Sequence, residues 1–322
     1  MIKISNLMKN YVKNAGIIAL LTLGLASCSD ENDTTDMQAE TYDTTFKITD
    51  APIDNANVEA VFVTIANVKV DGNAVEGFSK TTVELSSLVN GKSETLGNLA
   101  LAAGSYSNIV LELDYETDAA GNTPGTYVAL ANGTKDKLEA SAKSITINDA
   151  FDVFASATNQ IVIDFDLRKT IKEEEGNMTT DFNFVTMSEL TAGIRTVNEE
   201  TTGMISGTAN DAEDTSDKII VYAYEEGTFN AETEMQGSGE SGVKFANAVT
   251  SSVVSNVDSS YSLNFLKEGD YELVFASYKE EQNELYFNAL LEVESALGID
   301  LGAISITSAI HIDANVTVKG TK

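Results

Sequence analysis

One cysteine, one histidine and no tryptophan in 322 residues leave little of the usual equipment for catalysis or transition-metal binding. Zinc sites draw on several Cys and His side chains, and Ser/His/Asp or Cys/His chemistry needs an imidazole beside its nucleophile. Cys28 and His311 stand far apart in the chain, and each is the only residue of its kind. A lone cysteine rules out a disulfide within the chain, so the fold is held by its core. No glycine-rich phosphate loop precedes a helical pattern. Basic residues are scarce too: 20 Lys and Arg face 50 Asp and Glu, for a formal net charge of −30. Such a surface repels nucleic acid and anionic lipid headgroups. The missing tryptophan removes the best flat surface for stacking a sugar, which leaves Tyr127, Tyr222, Tyr224 and Tyr278 as the candidates.

What is present begins with an export pattern. Lys3, Lys9 and Lys13 precede the uncharged run Ala15 to Ala26, which ends in small residues before Cys28. Basic, apolar and small segments in that order read as a signal peptide over 1–27. The apolar run falls short of the roughly 20 residues needed to span a bilayer. Leu25-Ala26-Ser27-Cys28 resembles the lipobox of bacterial lipoproteins, which implies cleavage before Cys28, a lipidated (diacylglycerol and acyl, palmitate-type) cysteine as first residue, and membrane partnership through that lipid. Three acyl chains exceed the two anchoring signals that suffice for stable attachment. The alternative is a free thiol or an intermolecular disulfide.

Ser29, Asp30, Glu31 and Asp33 open an acidic stretch, 28–41, that reads as a solvated, flexible tether. Ser29-Asp30-Glu31-Asn32-Asp33 also resembles the export signal behind the lipidated cysteine in Bacteroidota. That resemblance implies an outer-membrane protein facing the cell exterior, with a periplasm-facing anchor as the alternative. Asp33-Thr34-Thr35 and Asp43-Thr44-Thr45 resemble the O-glycosylation motif of the same phylum, making Thr34 and Thr44 candidate acceptors. Loss of 1–27 removes three lysines and no acid, taking the formal charge from −30 to −33.

Beyond the tether the chain is rich in Thr, Val, Ile and Ser, with two prolines, and reads as all-β. Tyr42 to Ile48 alternates; Val58 to Val70 is apolar on both parities, as in a strand covered on both faces; Ile109, Leu111, Leu113 and Tyr115 share one side, as do Ile161, Ile163, Phe165 and Leu167. Turn signals at Asp71-Gly72-Asn73, Asn90-Gly91, Ala103-Gly104, Gly121-Asn122 and Asn132-Gly133 separate them. The expectation is two tandem antiparallel β-sandwich domains, 42–197 and 204–322, joined by the acidic linker 198–203, each with its own core.

Phe46-Lys47-Ile48-Thr49-Asp50-Ala51-Pro52, VFVTIANVKV, Leu99 to Tyr106 and Ile163-Asp164-Phe165-Asp166-Leu167 resemble, in that order, domain of unknown function 4382. This implies a β-sandwich over about 42–197 and no activity. Pro52 fixes φ after a strand, and Asp50 is placed to accept from the turn's amides. Residues 204–322, with Tyr261, Leu263, Phe265, then Tyr271, Leu273, Phe275 around Gly269-Asp270, resemble the carboxypeptidase regulatory-like (transthyretin-like) sandwich. An insertion at 227–257 and a helical-looking FNALLEVESAL, 287–297, depart from that pattern. From Ile304 to Val318 every even position but Ser308 is apolar, which predicts one long strand with His311 on its wet face.

For chemistry, Asp164 and Asp166 lie two apart on a strand, so their side chains project from one face about 6.5 to 7 Å apart. Carboxylates that close on one strand do not readily flank a glycosidic bond; a solvated face, or bonds to Arg168 and loop amides, is the competing role. Calcium takes loop oxygens, and Asp50, Asp54, Asp164 and Asp166 are the candidate ligands; no other cofactor is indicated. The function expected is a non-catalytic, lipid-anchored envelope protein whose sandwiches bind or adhere to a glycan or protein ligand. A structural accessory subunit of an outer-membrane assembly is the alternative, and a carboxylate glycoside hydrolase a distant third.

Overall fold

The computed structural model describes residues 40–52, 58–155, 158–175, 180–281 and 284–322. Cys28, Ser29, Asp30, Glu31, Asp33, Thr34 and Asp54 lie outside the described residues. From Glu40 onward the described residues form one compact unit. It is an all-β sandwich built from strands and a few one- or two-turn helices.

In the N-terminal half, a four-stranded sheet runs in the order Ile194–Asn198, Asn159–Phe165, Thr41–Thr49, Glu94–Ala102. Facing it is a seven-stranded sheet centred on Val58–Val70, with Ile109–Leu113 and Ser144–Ile147 on one side and Tyr127–Leu130 and Lys135–Lys137 on the other. Period-2 alternation puts Phe46, Ile48, Ile161, Ile163 and Phe165 inward against Val61, Val63 and Ile65, and all are fully buried. Not every pair is antiparallel: Thr41–Thr49 runs parallel to Asn159–Phe165, Thr44 opposite Asn159 and Thr49 opposite Asp164.

The C-terminal half is one curled nine-stranded sheet whose path runs Thr250–Val253, Lys218–Glu225, Gly269–Glu281, Glu284–Ser295, Val316–Thr321, Thr202–Asn210, Ser260–Lys267. One face encloses Ile205, Val221, Leu263, Phe275 and Leu291. The other packs Tyr222, Tyr224, Tyr278 and Leu290 under Phe245 of the insertion. Between the halves the backbone passes from Asn198 through a 3₁₀ turn, Glu199–Thr201, into the strand at Thr202.

Two expectations are corrected here. Residues 287–297 are no helix: Glu284–Ser295 is a strand paired with Gly269–Glu281 and Val316–Thr321. Its helix-like spacing comes from a bulge, since Phe287 pairs with Tyr278 and Ala289 with Ser277, leaving Asn288 unopposed. The bulge switches parity, so Leu285, Phe287 and Leu290 pack on one face and Leu291 and Val293 on the other. The long terminal strand is broken into Ile304–Ile306, which pairs with Gly269–Glu281, His311–Asp313, which pairs with Thr202–Asn210, and Val316–Thr321, which pairs with Thr202–Asn210 and with Glu284–Ser295. The break falls at Ser308-Ala309, where Ala309 adopts φ +56° and its amide donates to Thr202 O.

Candidate functional site

The densest charged constellation sits on the outer face of the four-stranded sheet. Because Ile161, Ile163 and Phe165 point into the core, Asp164 is turned outward, and Asp166 follows as the N-cap of the one-turn helix Leu167–Thr170. Antiparallel register sets Arg195 directly opposite Asp164. Its guanidinium holds that carboxylate from Nε at 2.9 Å and from a second nitrogen at 2.7 Å. Arg168 donates to Asp166 Oδ2 at 2.9 Å, and Lys169 stands 3.6 Å from the same oxygen. Asp50 accepts from the amide of Leu167 at 3.0 Å, a residue 117 positions further on, besides its own turn amide at Ala51.

This is not a solvated face: Asp50 is 6% exposed, and Asp164 and Asp166 are 4% exposed. Of the two roles expected for these carboxylates, the solvated face fails because the outer face of this sheet is covered by the other half of the chain. Arg168 donates to the carbonyls of Phe245 at 2.7 Å and Lys244 at 3.1 Å. Arg195 donates to Phe265 O at 2.8 Å, and Lys169 to Ala248 O. The expected bond between Asp166 and Arg168 is present.

Burial pushes the Asp50 carboxyl well above the usual carboxylate range; the Leu167 amide opposes this, while the charges of Asp166 and Asp164 add to it. Burial raises Asp164 too, with Arg195 pulling against it. Lys169 is lowered by burial, with Asp166 opposing. Asp50 Oδ2 and Asp166 Oδ1 have no hydrogen-bond partner among the described residues.

Three of the four calcium candidates therefore come together, but with their negative charge met by two guanidinium groups and an ammonium. Among the described residues no group of three or more His, Cys, Asp or Glu is arranged to hold a metal ion. As a hydrolytic pair Asp164 and Asp166 are badly placed, each buried and each held by an arginine. Beside them a groove of about 770 Å³ is lined by Lys169, Arg195, Lys267, Glu225, Glu226 and Asp270 among others. Its cations already have carboxylate partners, Lys267 binding Asp149 at 3.2 Å.

The four candidate tyrosine platforms are corrected. Tyr222, Tyr224, Tyr278 and Tyr127 are 0 to 6% exposed. Tyr222 stacks on Phe245 at 4.3 Å and shares a 2.6 Å hydroxyl contact with Tyr278, Tyr224 donates to Glu234, and Tyr127 stacks on Phe62. Thr44 is likewise fully buried within its strand, its hydroxyl donating to Tyr42 O, so a glycan there has no room. His311 is half exposed. Ser206 Oγ approaches its Nε2 at 2.6 Å and Asp313 reaches the same nitrogen at 3.3 Å. A charge-relay arrangement needs the carboxylate on Nδ1, so the three do not form one.

Sequence reasoning missed Arg195, Lys169, Glu189 and Lys267. One signal was available: Arg168 and Arg195 are the only arginines in the chain.

Residues 43–183 match the family described as Domain of unknown function (DUF4382), in the half where the Thr-Asp-Ala-Pro turn and the Asp-Phe-Asp strand lie. No curated protein matches the chain. Among solved structures, the chain is similar to BcpA, the major pilin subunit of Bacillus cereus, at 12% identity and TM-score 0.22, covering 88% of this chain and 71% of that one. The major pilin T-13 of Streptococcus pyogenes aligns at 10% identity and TM-score 0.17, covering 87% and 98%. A putative adhesin from Bacteroides ovatus aligns at 12% identity and TM-score 0.15, covering 82% and 86%. These scores are too low to define a shared fold. No helix among the described residues is long and apolar enough to cross a membrane.

Proposed function

We propose that this is a lipid-anchored protein of the outer membrane, held through Cys28 and facing the cell exterior, whose β-sandwich body binds or adheres to a glycan or protein ligand without catalysing a reaction. The observation that carries this is Leu25-Ala26-Ser27-Cys28 followed at once by Ser29-Asp30-Glu31-Asn32-Asp33, an anchoring pattern and an acidic tether directly ahead of the first strand at Thr41. In support, the densest charged constellation among the described residues is closed by backbone carbonyls and salt bridges, which suits a structural role better than turnover. Residues 204–322 are taken as a carboxypeptidase regulatory-like sandwich with an insertion. The test pairs fractionation with binding. Cys28→Ser should move the protein out of the membrane fraction or leave it unprocessed, and the full chain should retain a ligand from an array of glycans and matrix proteins. A membrane-bound, signal-cleaved Cys28→Ser product would overturn the anchor, and an array without a retained ligand would overturn the binding role.

A further inference from the structure

We infer that the stretch Phe229 to Val249 of the insertion is a clamp that fastens the two halves of the body together, so that residues 40–322 unfold and bear load as one unit rather than as two sandwiches on a hinge. Both arginines of the chain are committed to this junction. Each spends part of its donor fork on an aspartate of its own half, and the rest on carbonyls of the other: Arg168 on Lys244 and Phe245, Arg195 on Phe265. A planar fork with five donors can serve a carboxylate on one edge and carbonyls on another in a fixed geometry, which the compact ammonium of a lysine does not reproduce. The acceptors are main-chain atoms, so Arg168 reads the backbone path of the insertion, while Arg195 fixes the strand Ser260–Lys267 beside it.

Two further contacts join the same segment to the N-terminal half. Lys169 donates to Ala248 O, and Glu189 accepts from the amide of Ser241 at 3.0 Å and from its hydroxyl at 2.7 Å. The fit at that turn is close: a Cβ on Gly239 would lie 2.1 Å from Glu189 Oε1, and Gly239 has φ +74°. The insertion is equally fixed to its own sheet. Phe245 stacks on Tyr222, and the buried Glu234 accepts from Tyr224 at 2.8 Å and from the amide of Asn247 at 3.2 Å. Arg168 also lies over the Tyr222 ring, 5.2 Å from its centre. A segment rigid against one half and hydrogen-bonded through charged groups to the other transmits displacement between them. Separating the halves would remove the carbonyl partners and uncover the charged groups to water in the same step, so docking and burial form together. The use of the clamp to carry load from a bound ligand to the lipid rests on the proposed function; the coupling does not, and is tested apart from it.

The test is urea unfolding of the full chain followed by hydrogen exchange, on the wild type and on Arg168→Lys/Arg195→Lys, which keeps both charges and loses the forks. Wild type should unfold in one transition at which probes in both halves coincide. The double variant should split into two, with amides of 229–249 exchanging at least about tenfold faster. Glu189→Ala, which leaves the buried cations intact, should speed exchange in 238–242 and serves if the double variant fails to fold. Two separate transitions in the wild type would overturn the clamp whatever the variants do. So would a double variant that still unfolds in one transition with unchanged exchange in the insertion. Neither outcome bears on membrane anchoring or ligand binding.

Discussion

Asp50 is buried with one oxygen unpartnered among the described residues, so its ionised form is penalised in the folded protein and not in the unfolded one. Its folded pKa is raised, so its contribution to stability is fully present below the unfolded value near 4 and is lost as pH rises through the folded value. Asp50→Asn keeps an oxygen to accept from Leu167 and removes the charge. The variant is therefore expected to gain stability over the wild type as pH rises from about 4 toward 8, by about 1 to 3 kcal/mol at the upper end, read as the difference between two urea series. A difference that stays flat with pH would show that Asp50 does not titrate differently on folding. Glu189 runs the other way: burial pushes it up, but hydrogen bonds from Ser241 and Thr186 outweigh this and bring it to about 2. What it contributes is present above the unfolded value and lost as pH falls toward 2. At Arg195 the expected cost of Ala is about 3 to 5 kcal/mol, because Asp164 is left buried and unpaired. Lys in its place should cost less, and equal losses for the two would mean that the fork, rather than the charge, is what matters there.

Among the elements, legibility followed the period. Val58–Val70 was readable to the residue because a strand covered on both faces is a continuous apolar run between turn signals, here ended by Asp71-Gly72 at positive φ. The Thr-Asp-Ala-Pro turn and the Asp-Phe-Asp strand were readable as local patterns. What the carboxylates meet was not, because Arg195 reaches Asp164 through a pairing 31 residues away and the covering carbonyls come from the other half. Bulges were illegible for a different reason: one unopposed residue shifts parity and imitates the i, i+3, i+4 spacing of a helix, as at Phe287, Leu290 and Leu291. Strand and helix make different demands at Leu297. A helix over 287–297 would bury it, whereas it is 68% exposed and Leu291 is 2% exposed. Leu291→Ala is expected to cost about 2 to 5 kcal/mol and Leu297→Ala within about 0.5 kcal/mol, measured by urea denaturation. Comparable losses at both positions would restore the helix.

For the molecule as a whole, the charge asymmetry bears on stability. With 50 acids against 20 bases, the compact state works against its own repulsion. Raising ionic strength from 0.01 to 0.15 M shortens the screening length from about 30 to about 8 Å, so the melting temperature should rise across that range; a fall would mean that surface ion pairs such as Lys69 with Glu112 outweigh the repulsion. The acids at Asp30, Glu31 and Asp33 raise a separate question, that of an address. If Asp30, Glu31 and Asp33 direct the lipidated protein outward, replacing all three with alanine should leave lipid attachment unchanged and abolish digestion by a protease added to intact cells. If those residues are only a solvated spacer, digestion should proceed as before, because alanines in a flexible segment alter neither its reach nor the anchor. Equal digestion of wild type and variant would therefore remove the export role, whereas a wild type digested only after the cells are permeabilised would establish the periplasm-facing orientation.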